Sequence, residues 1–282
     1  MRKFGLIVFL LIFNISVFGF TGYNNLLGGC SVLSYGLKSQ FGSVSDVNFI
    51  SGDGLTSNYT LLTSKSTETF NTNMNSFDHC LSFSFYDKTD AGWAGMLGGN
   101  FTSGASSTSD LMVYYGLGKK INDNVQLGLK INYEIEDMDF KTSQFSGDLA
   151  FTIGKTSSNV KTVMGTKGFK IYPLPKDSYF MDLFGGLRID YEKFEIGFEV
   201  GSKDYLSTVY FGGCGKYDFT EFLSVLGGAT LQYQKEGIRL QFGTGFEGGF
   251  EVVDFFGGFS AAYSFSESNY CFNVTFGITT NY

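Results

Sequence analysis

The chain has 282 residues, a formal net charge of -7, and 38 Gly, 32 Phe and 17 Tyr against 2 Pro and 1 Trp. An acidic balance with no Lys/Arg cluster excludes nucleic acid as a partner, because nothing is arranged to neutralise phosphates. Four scattered cysteines (Cys30, Cys80, Cys214, Cys271) without a C-x-x-C pair, and the single histidine His79, argue against a zinc centre. No metal site, cofactor or catalytic constellation is expected.

In chain order, Met1-Arg2-Lys3 gives a charged start, 4–13 a short apolar core, and Val17 and Gly19 small or modest residues at a plausible cleavage point. The run is short of the ~20 residues a membrane-spanning helix needs, so 1–19 is read as an export signal. Leu27-Gly28-Gly29-Cys30 looks like a lipoprotein box, but polar Thr21, Asn24 and Asn25 separate it from the apolar core. Residues 20–56 show no strand pattern and form a separate N-terminal segment. Every later hydrophobic patch is interrupted by Gly, Asp, Lys or Glu, so no later helix is expected to cross a membrane.

From about residue 57 the pattern changes to an alternation of period two, the signature of half-buried strands. Strands are expected at 57–65, 78–87, 91–102, 108–118, 124–135, 145–154 and 159–172. Seven more follow at 180–190, 193–203, 206–217, 221–233, 237–248, 251–264 and 269–282. In the fifth, Val125, Leu127, Leu129, Ile131 and Tyr133 oppose Gln126, Gly128, Lys130, Asn132 and Glu134. In the ninth, Phe194, Ile196, Phe198 and Val200 oppose Glu195, Gly197, Glu199 and Gly201. The chain ends on an aromatic residue, Tyr282, within a strand.

A soluble antiparallel protein would show the same alternation. Nearly every segment here, however, is long and one-sided, at or above the ~9–11 residues that cross a bilayer at a tilt, and the count is even. The expected fold class is therefore all-β, a transmembrane antiparallel barrel of about 14 strands over 57–282. Its expected place is the outer membrane of a Gram-negative-type bacterium, with membrane lipid around it. The terminal aromatic strand resembles the signal read by outer-membrane assembly machinery, which is an expected partner. If the last strand ends on the periplasmic side, 119–123, 190–192 and 218–220 are short periplasmic turns, and the longer links 66–77, 136–144 and 173–179 face outward.

The polar strand faces put Lys130, Glu134, Asp148, Asp182, Arg188, Glu195, Glu199, Arg239 and Glu247 inside such a barrel. They could select a solute, or pair across the lumen and fill it. Asp78-His79 resembles, as a dipeptide, the carboxylate–imidazole pair of some outer-membrane proteases, but strand starts favour Asp for backbone reasons alone. Cys80 and Cys271 point inward near the outer rim with one strand between them. Two strand spacings of ~4.8 Å exceed the usual reach of a disulfide, so thiols are the expectation there.

The stretch Gly22-Tyr23-Asn24-Asn25-Leu26-Leu27-Gly28-Gly29-Cys30-Ser31-Val32 is similar to the N-terminal Leu-Gly-Gly-Ala segment of the FadL-like superfamily of outer-membrane barrels, within it the PorV-type branch. Residues 115–129, from Tyr115-Gly116-Leu117-Gly118 to Gln126-Leu127-Gly128-Leu129, resemble that superfamily's strand–turn–strand repeat. Asp148-Leu149-Ala150-Phe151 and Leu174-Pro175 are similar more loosely. The resemblance implies a fourteen-strand barrel with 20–56 as a small internal plug and passive transport of small apolar molecules. Its PorV-type form implies instead a structural or docking barrel of protein secretion; a surface enzyme is the third reading. One departure concerns the plug: the superfamily's Asn-Pro-Ala-Gly is missing, and Ser45-Asp46-Val47-Asn48 stands roughly there.

Overall fold

The computed structural model describes residues 22–27, 29–39, 42–50, 52–63, 77–89, 91–104, 109–139, 143–155, 157–172, 181–203, 206–235, 237–266 and 269–282. The expected signal 1–19, most of the outward links at 66–77 and 173–179, and Leu174-Pro175 lie outside the described residues.

Fourteen strands close on themselves. They are β1 (Gly54–Thr63), β2 (Phe77–Lys88), β3 (Trp93–Gly104), β4 (Asp110–Asn122), β5 (Val125–Ile135), β6 (Gln144–Ile153) and β7 (Val160–Tyr172), followed by β8 (Asp182–Tyr191), β9 (Phe194–Lys203), β10 (Thr208–Thr220), β11 (Leu223–Gln234), β12 (Gly237–Phe250), β13 (Val253–Ser264) and β14 (Asn269–Asn281). Each pairs antiparallel with its neighbours in sequence, and β1 meets β14 with Gly54 opposite Asn281 and Leu62 opposite Asn273. Closure removes the sheet edge, which is what allows strands to stand in lipid with every ladder group paired.

The alternation in the sequence is the alternation of the wall. On β5, Gln126 and Asn132 are buried inside while Leu129 and Ile131 are exposed outside; on β9, Glu199 is buried and its neighbours Phe198 and Val200 are exposed. The outer surface is therefore a belt of Phe, Leu, Ile and Val, apolar where lipid chains would lie. Aromatic residues gather at its two margins, as in membrane barrels. Tyr191, Phe194, Phe219, Phe222, Phe250 and Tyr282 rim one end, with Phe194 and Tyr217 ring centres 4.6 Å apart; Tyr133 and Phe145, 4.7 Å apart, stand with Tyr172 and Tyr233 at the other.

The first of these ends carries the short turns, the end that faces the periplasm in outer-membrane barrels. Strands run further into it than the sequence suggests. β4 continues through Asn122 and β10 through Thr220, so their turns shrink to Asp123–Asn124 and Glu221–Phe222. The reason is that Lys119 and Lys120 still pair across the ladder with Leu127 and Gln126, and Asp218 with Ser224. At the same end β1 begins three residues earlier than expected, at Gly54 opposite Tyr86 of β2. In two turns at the short-turn end, Glu192 and Glu251 take φ of 46° and 49°, the left-handed geometry that tight hairpins demand.

Inside the barrel lie the described residues of 22–50. A short helix, α1 (Gly22–Leu26), and two 3₁₀ turns, Gly36–Lys38 and Val44–Phe49, fold this segment across the lumen. α1 rests against β11 to β14 and β1, whereas Val44–Phe49 rests against β3 to β6 on the opposite wall. Tyr23, Leu26, Leu27, Val32, Leu33, Val44, Val47 and Ile50 are all buried and form the hydrophobic core with Met96, Leu226 and Phe256 of the wall.

Candidate functional site

Glycine makes room for the segment. Wall residues that point inward where it lies are often Gly, and a side chain there would meet it. A β-carbon on Gly128 of β5 would overlap the backbone of Val44 and Ser45, one on Gly228 of β11 the carbonyl of Leu27, and one on Gly118 of β4 the side chain of Val47. On β9, a β-carbon on Gly197 would overlap Val32 and come within 2.8 Å of the Cys214 sulfur. Part of the glycine content thus carves a socket for residues 22–50, since a close-packed interior admits no extra atoms.

Charge fixes the segment in that socket. Arg188 of β8, 1 % exposed, lies 3.4 Å from Asp46 and donates from Nη1 to the carbonyl of Val32 at 3.3 Å. Its guanidinium also lies over the Tyr35 ring, 4.3 Å from the centroid, and over Phe49 at 5.1 Å. Asp46 accepts a second hydrogen bond on the same oxygen from Thr152 of β6 at 2.7 Å, and Ser45 contacts Thr152 at 2.8 Å. The other Asp46 oxygen is buried with no hydrogen-bond partner among the described residues. Burial pushes the Asp46 carboxyl above the ordinary carboxylate range, against the pull of Arg188.

Three wall glutamates hold the rest. Glu199 of β9 accepts from the Ser31 backbone N–H at 2.7 Å and its hydroxyl at 2.8 Å, and from Tyr210 of β10 at 2.9 Å. Glu195 accepts from the Tyr35 hydroxyl at 2.9 Å. Glu247 of β12 pairs with Lys38, accepts from the Tyr23 hydroxyl at 2.6 Å and lies 3.7 Å from Lys216 of β10. Burial first, and the neighbouring glutamates second, hold the Tyr23 and Tyr35 phenols well above their ordinary range, so both remain proton donors.

The other inward charges lie apart from the segment or at its margin. Lys130 of β5 pairs with Asp148 of β6 at 2.6 Å, and Glu134 accepts from Gln144 at 2.8 Å. Asp148 also accepts from the Gly168 backbone N–H at 2.9 Å, where the β6–β7 register shifts and Gly168 takes φ of 67°. The carboxylate there replaces a ladder bond that the bulge breaks. Asp182 opens β8 opposite Lys167, and Arg239 stands on the inner face of β12 opposite Gln232, both toward the far end from the short turns. Of the residues singled out in the sequence, Arg188, Glu195, Glu199 and Glu247 converge on residues 22–50, while Lys130, Glu134, Asp148, Asp182 and Arg239 do not.

Asp78 and His79 do not form a dyad. Adjacent residues of a strand face opposite ways: Asp78 is buried on the inner face of β2, and His79 Nδ1 lies 3.4 Å from the Tyr59 hydroxyl, itself on the outer face of β1. Cys80 and Cys271 are further apart than the strand order alone requires. Cys80 is level with Thr60 and Thr275, so Cys271 lies four residues along β14, ~13 Å at the strand rise. The thiols that meet are Cys30 and Cys214, with sulfurs 2.9 Å apart. Sequence reasoning also missed Tyr23, Tyr35, Lys38 and Asp46. The visible signal was three ionisable groups and a carboxylate in a segment otherwise rich in Leu, Val, Ser and Gly.

At the short-turn end the lumen opens into a polar cavity of about 840 Å³, lined among others by Lys193, Lys216, Asp218, Glu221, Glu247, Glu251 and Asp254. Glu247 connects this cavity to residues 22–50 through its contacts with Lys38 and Tyr23.

No protein-family model matches the chain, and no curated protein matches it in sequence. Solved structures do match in shape. The Ralstonia pickettii toluene transporter TbuX superposes with a TM-score of 0.70 at 10 % identity, over 94 % of this chain and 98 % of that one. A Pseudomonas aeruginosa FadL homologue gives 0.66 at 9 % identity over 94 % and 98 %, and the Pseudomonas putida toluene transporter TodX 0.65 at 11 % over 94 % and 100 %. Identities this low establish architecture and nothing finer: the chain has the FadL-type fold, a closed fourteen-strand barrel.

Proposed function

We propose that this chain is an outer-membrane barrel that passively admits small apolar molecules, with residues 22–50 as an internal plug. The observation that carries the reading is the plug socket: a lipid-compatible barrel whose lumen is crossed by a segment fixed at a few charged contacts, in a fold shared with two toluene transporters. In this reading Lys130, Glu134, Asp182 and Arg239 line the route on the outward side of the plug. Arg188, Glu195, Glu199 and Glu247 set how firmly the plug sits.

The test is uptake of labelled toluene by cells whose lipopolysaccharide-covered outer membrane slows its entry and which lack a carrier of their own. The initial rate rises several-fold when the chain is present in the outer membrane. An unchanged rate with the folded barrel in place refutes transport of this solute class.

A second reading has one observation in its favour. The described lumen around the plug is closely packed and polar, with Thr56, Asn58, Thr60, Ser82, Ser84, Ser260 and Thr275 all buried. A filled lumen suits a barrel that conducts nothing and docks a protein partner at its outward loops. That reading predicts no rise in uptake and a partner protein that leaves the membrane with the barrel.

A further inference from the structure

We propose that Cys30 and Cys214 form a disulfide that ties the plug covalently to the barrel wall at β10. Cys30 follows α1 in the plug; Cys214 sits on the inner face of β10, opposite Gly197 and Gly228 on its two neighbours. The two sulfurs are 2.9 Å apart, and both residues are buried, at 1 % and 6 % exposure. The surroundings hold them there: a β-carbon on Gly228 would meet the Cys214 β-carbon at 2.8 Å, and one on Gly212 would meet that of Cys30 at 3.5 Å. Thiols that bury polar S–H groups in direct contact gain little. A bond between them, in a compartment where disulfides persist, gives both residues a purpose.

The chemistry balances with a small disulfide oxidant of the glutathione class. One cysteine thiolate attacks an oxidant sulfur and expels one thiolate; the second cysteine thiolate attacks the mixed disulfide and expels the other. Two cysteine protons pass to the two departing thiolates, and the protein pair is oxidised by two electrons as the oxidant is reduced by two. Glu199, with Oε2 3.9 Å from the Cys30 sulfur, is placed to accept the Cys30 proton on its way out. Because the finished site is buried, the bond forms while the plug settles into the closing barrel.

The consequence is a division of the plug. The part around Cys30 is fixed to β10, held also by the Ser31–Glu199 contacts, and cannot leave the lumen as a body. The stretch beyond it, through Val44–Phe49, is held noncovalently, by Tyr35 on Glu195, Lys38 on Glu247 and Asp46 on Arg188 and Thr152, and is the part left to move. The proposal rests on the plugged-barrel reading above for its meaning, but its test does not depend on transport.

The full chain is refolded from urea into detergent micelles with a mixture of reduced and oxidised glutathione, and barrel formation is scored by heat-modifiable gel mobility. The folded fraction is then denatured in N-ethylmaleimide without reductant, digested with trypsin and analysed by mass spectrometry. The expected result is one linked species joining the peptides that hold Cys30 and Cys214, lost on reduction and absent from C214S. The same link persists in a C80S/C271S double variant. Folded barrels in which Cys30 and Cys214 both carry maleimide, or in which Cys30 is bonded to Cys80 or Cys271, overturn the proposal. Toluene uptake by the wild-type chain tests the transport reading separately.

Discussion

Arg188 of the wall and Asp46 of the plug meet 3.4 Å apart with side chains 1 % and 0 % exposed, deep in the barrel and far apart in sequence. Burying two charges is costly, and removing one partner leaves the other stranded. Arg188→Ala should therefore weaken plug docking by about 3–5 kcal/mol. The readout is trypsin cleavage after Lys38, which the lumen shields while the plug is seated: it accelerates strongly in the variant, while heat-modifiable mobility of the barrel is unchanged.

Asp46→Asn removes the charge and keeps the shape. The amide oxygen can still accept from Thr152, but the buried Arg188 guanidinium loses its anion. The expected loss therefore approaches the about 3–5 kcal/mol of Arg188→Ala. A loss of only about 1 kcal/mol, the usual net worth of one hydrogen bond, measured by the same cleavage, would show that packing and hydrogen bonds rather than the ion pair hold the plug.

The glycine socket gives a packing test. Gly128→Val places a branched side chain on the Val44 and Ser45 backbone and should expel that lobe of the plug, at about 1–3 kcal/mol for overpacking. Gly185→Val, on the outer face of β8, where the nearest atom to an added β-carbon is 4.0 Å away, should leave plug protection unchanged. Equal exposure of Lys38 to trypsin in both variants would contradict the socket.

The lipid belt is tested on two adjacent strands, β8 and β9. Phe198, midway along β9 and 54 % exposed, should not tolerate Lys: the expected cost is about 2–4 kcal/mol at mid-membrane, against about 0–1 kcal/mol for Tyr191→Lys at the rim. Urea midpoints of the two variants in lipid vesicles check this. Similar midpoints would mean that β9 does not cross a bilayer at that depth.

The wall was legible in the sequence because period-two alternation is a local property: Leu129 and Ile131 against Gln126 and Asn132 can be read without knowing any partner strand. Ladder pairing beyond the last apolar residue is not local, so Lys119 and Lys120 read as a turn although they finish β4. Arg188, Glu199 and Glu247 could be placed on the inner face for the same reason as the wall. Their partners Asp46, Ser31, Lys38 and Tyr23 could not be named, because each contact joins residues more than 140 positions apart. Cys30 and Cys214 escaped notice likewise. The strand order drew attention to Cys80 and Cys271, two wall residues, while the plug that brings Cys30 to β10 follows no periodic pattern.

The most direct test of a plugged barrel that carries small apolar molecules is native mass spectrometry of the chain extracted from outer membranes in mild detergent. The account predicts a single barrel that releases a bound small apolar molecule on activation. A stoichiometric protein companion with no small molecule bound would contradict it and assign the barrel to docking.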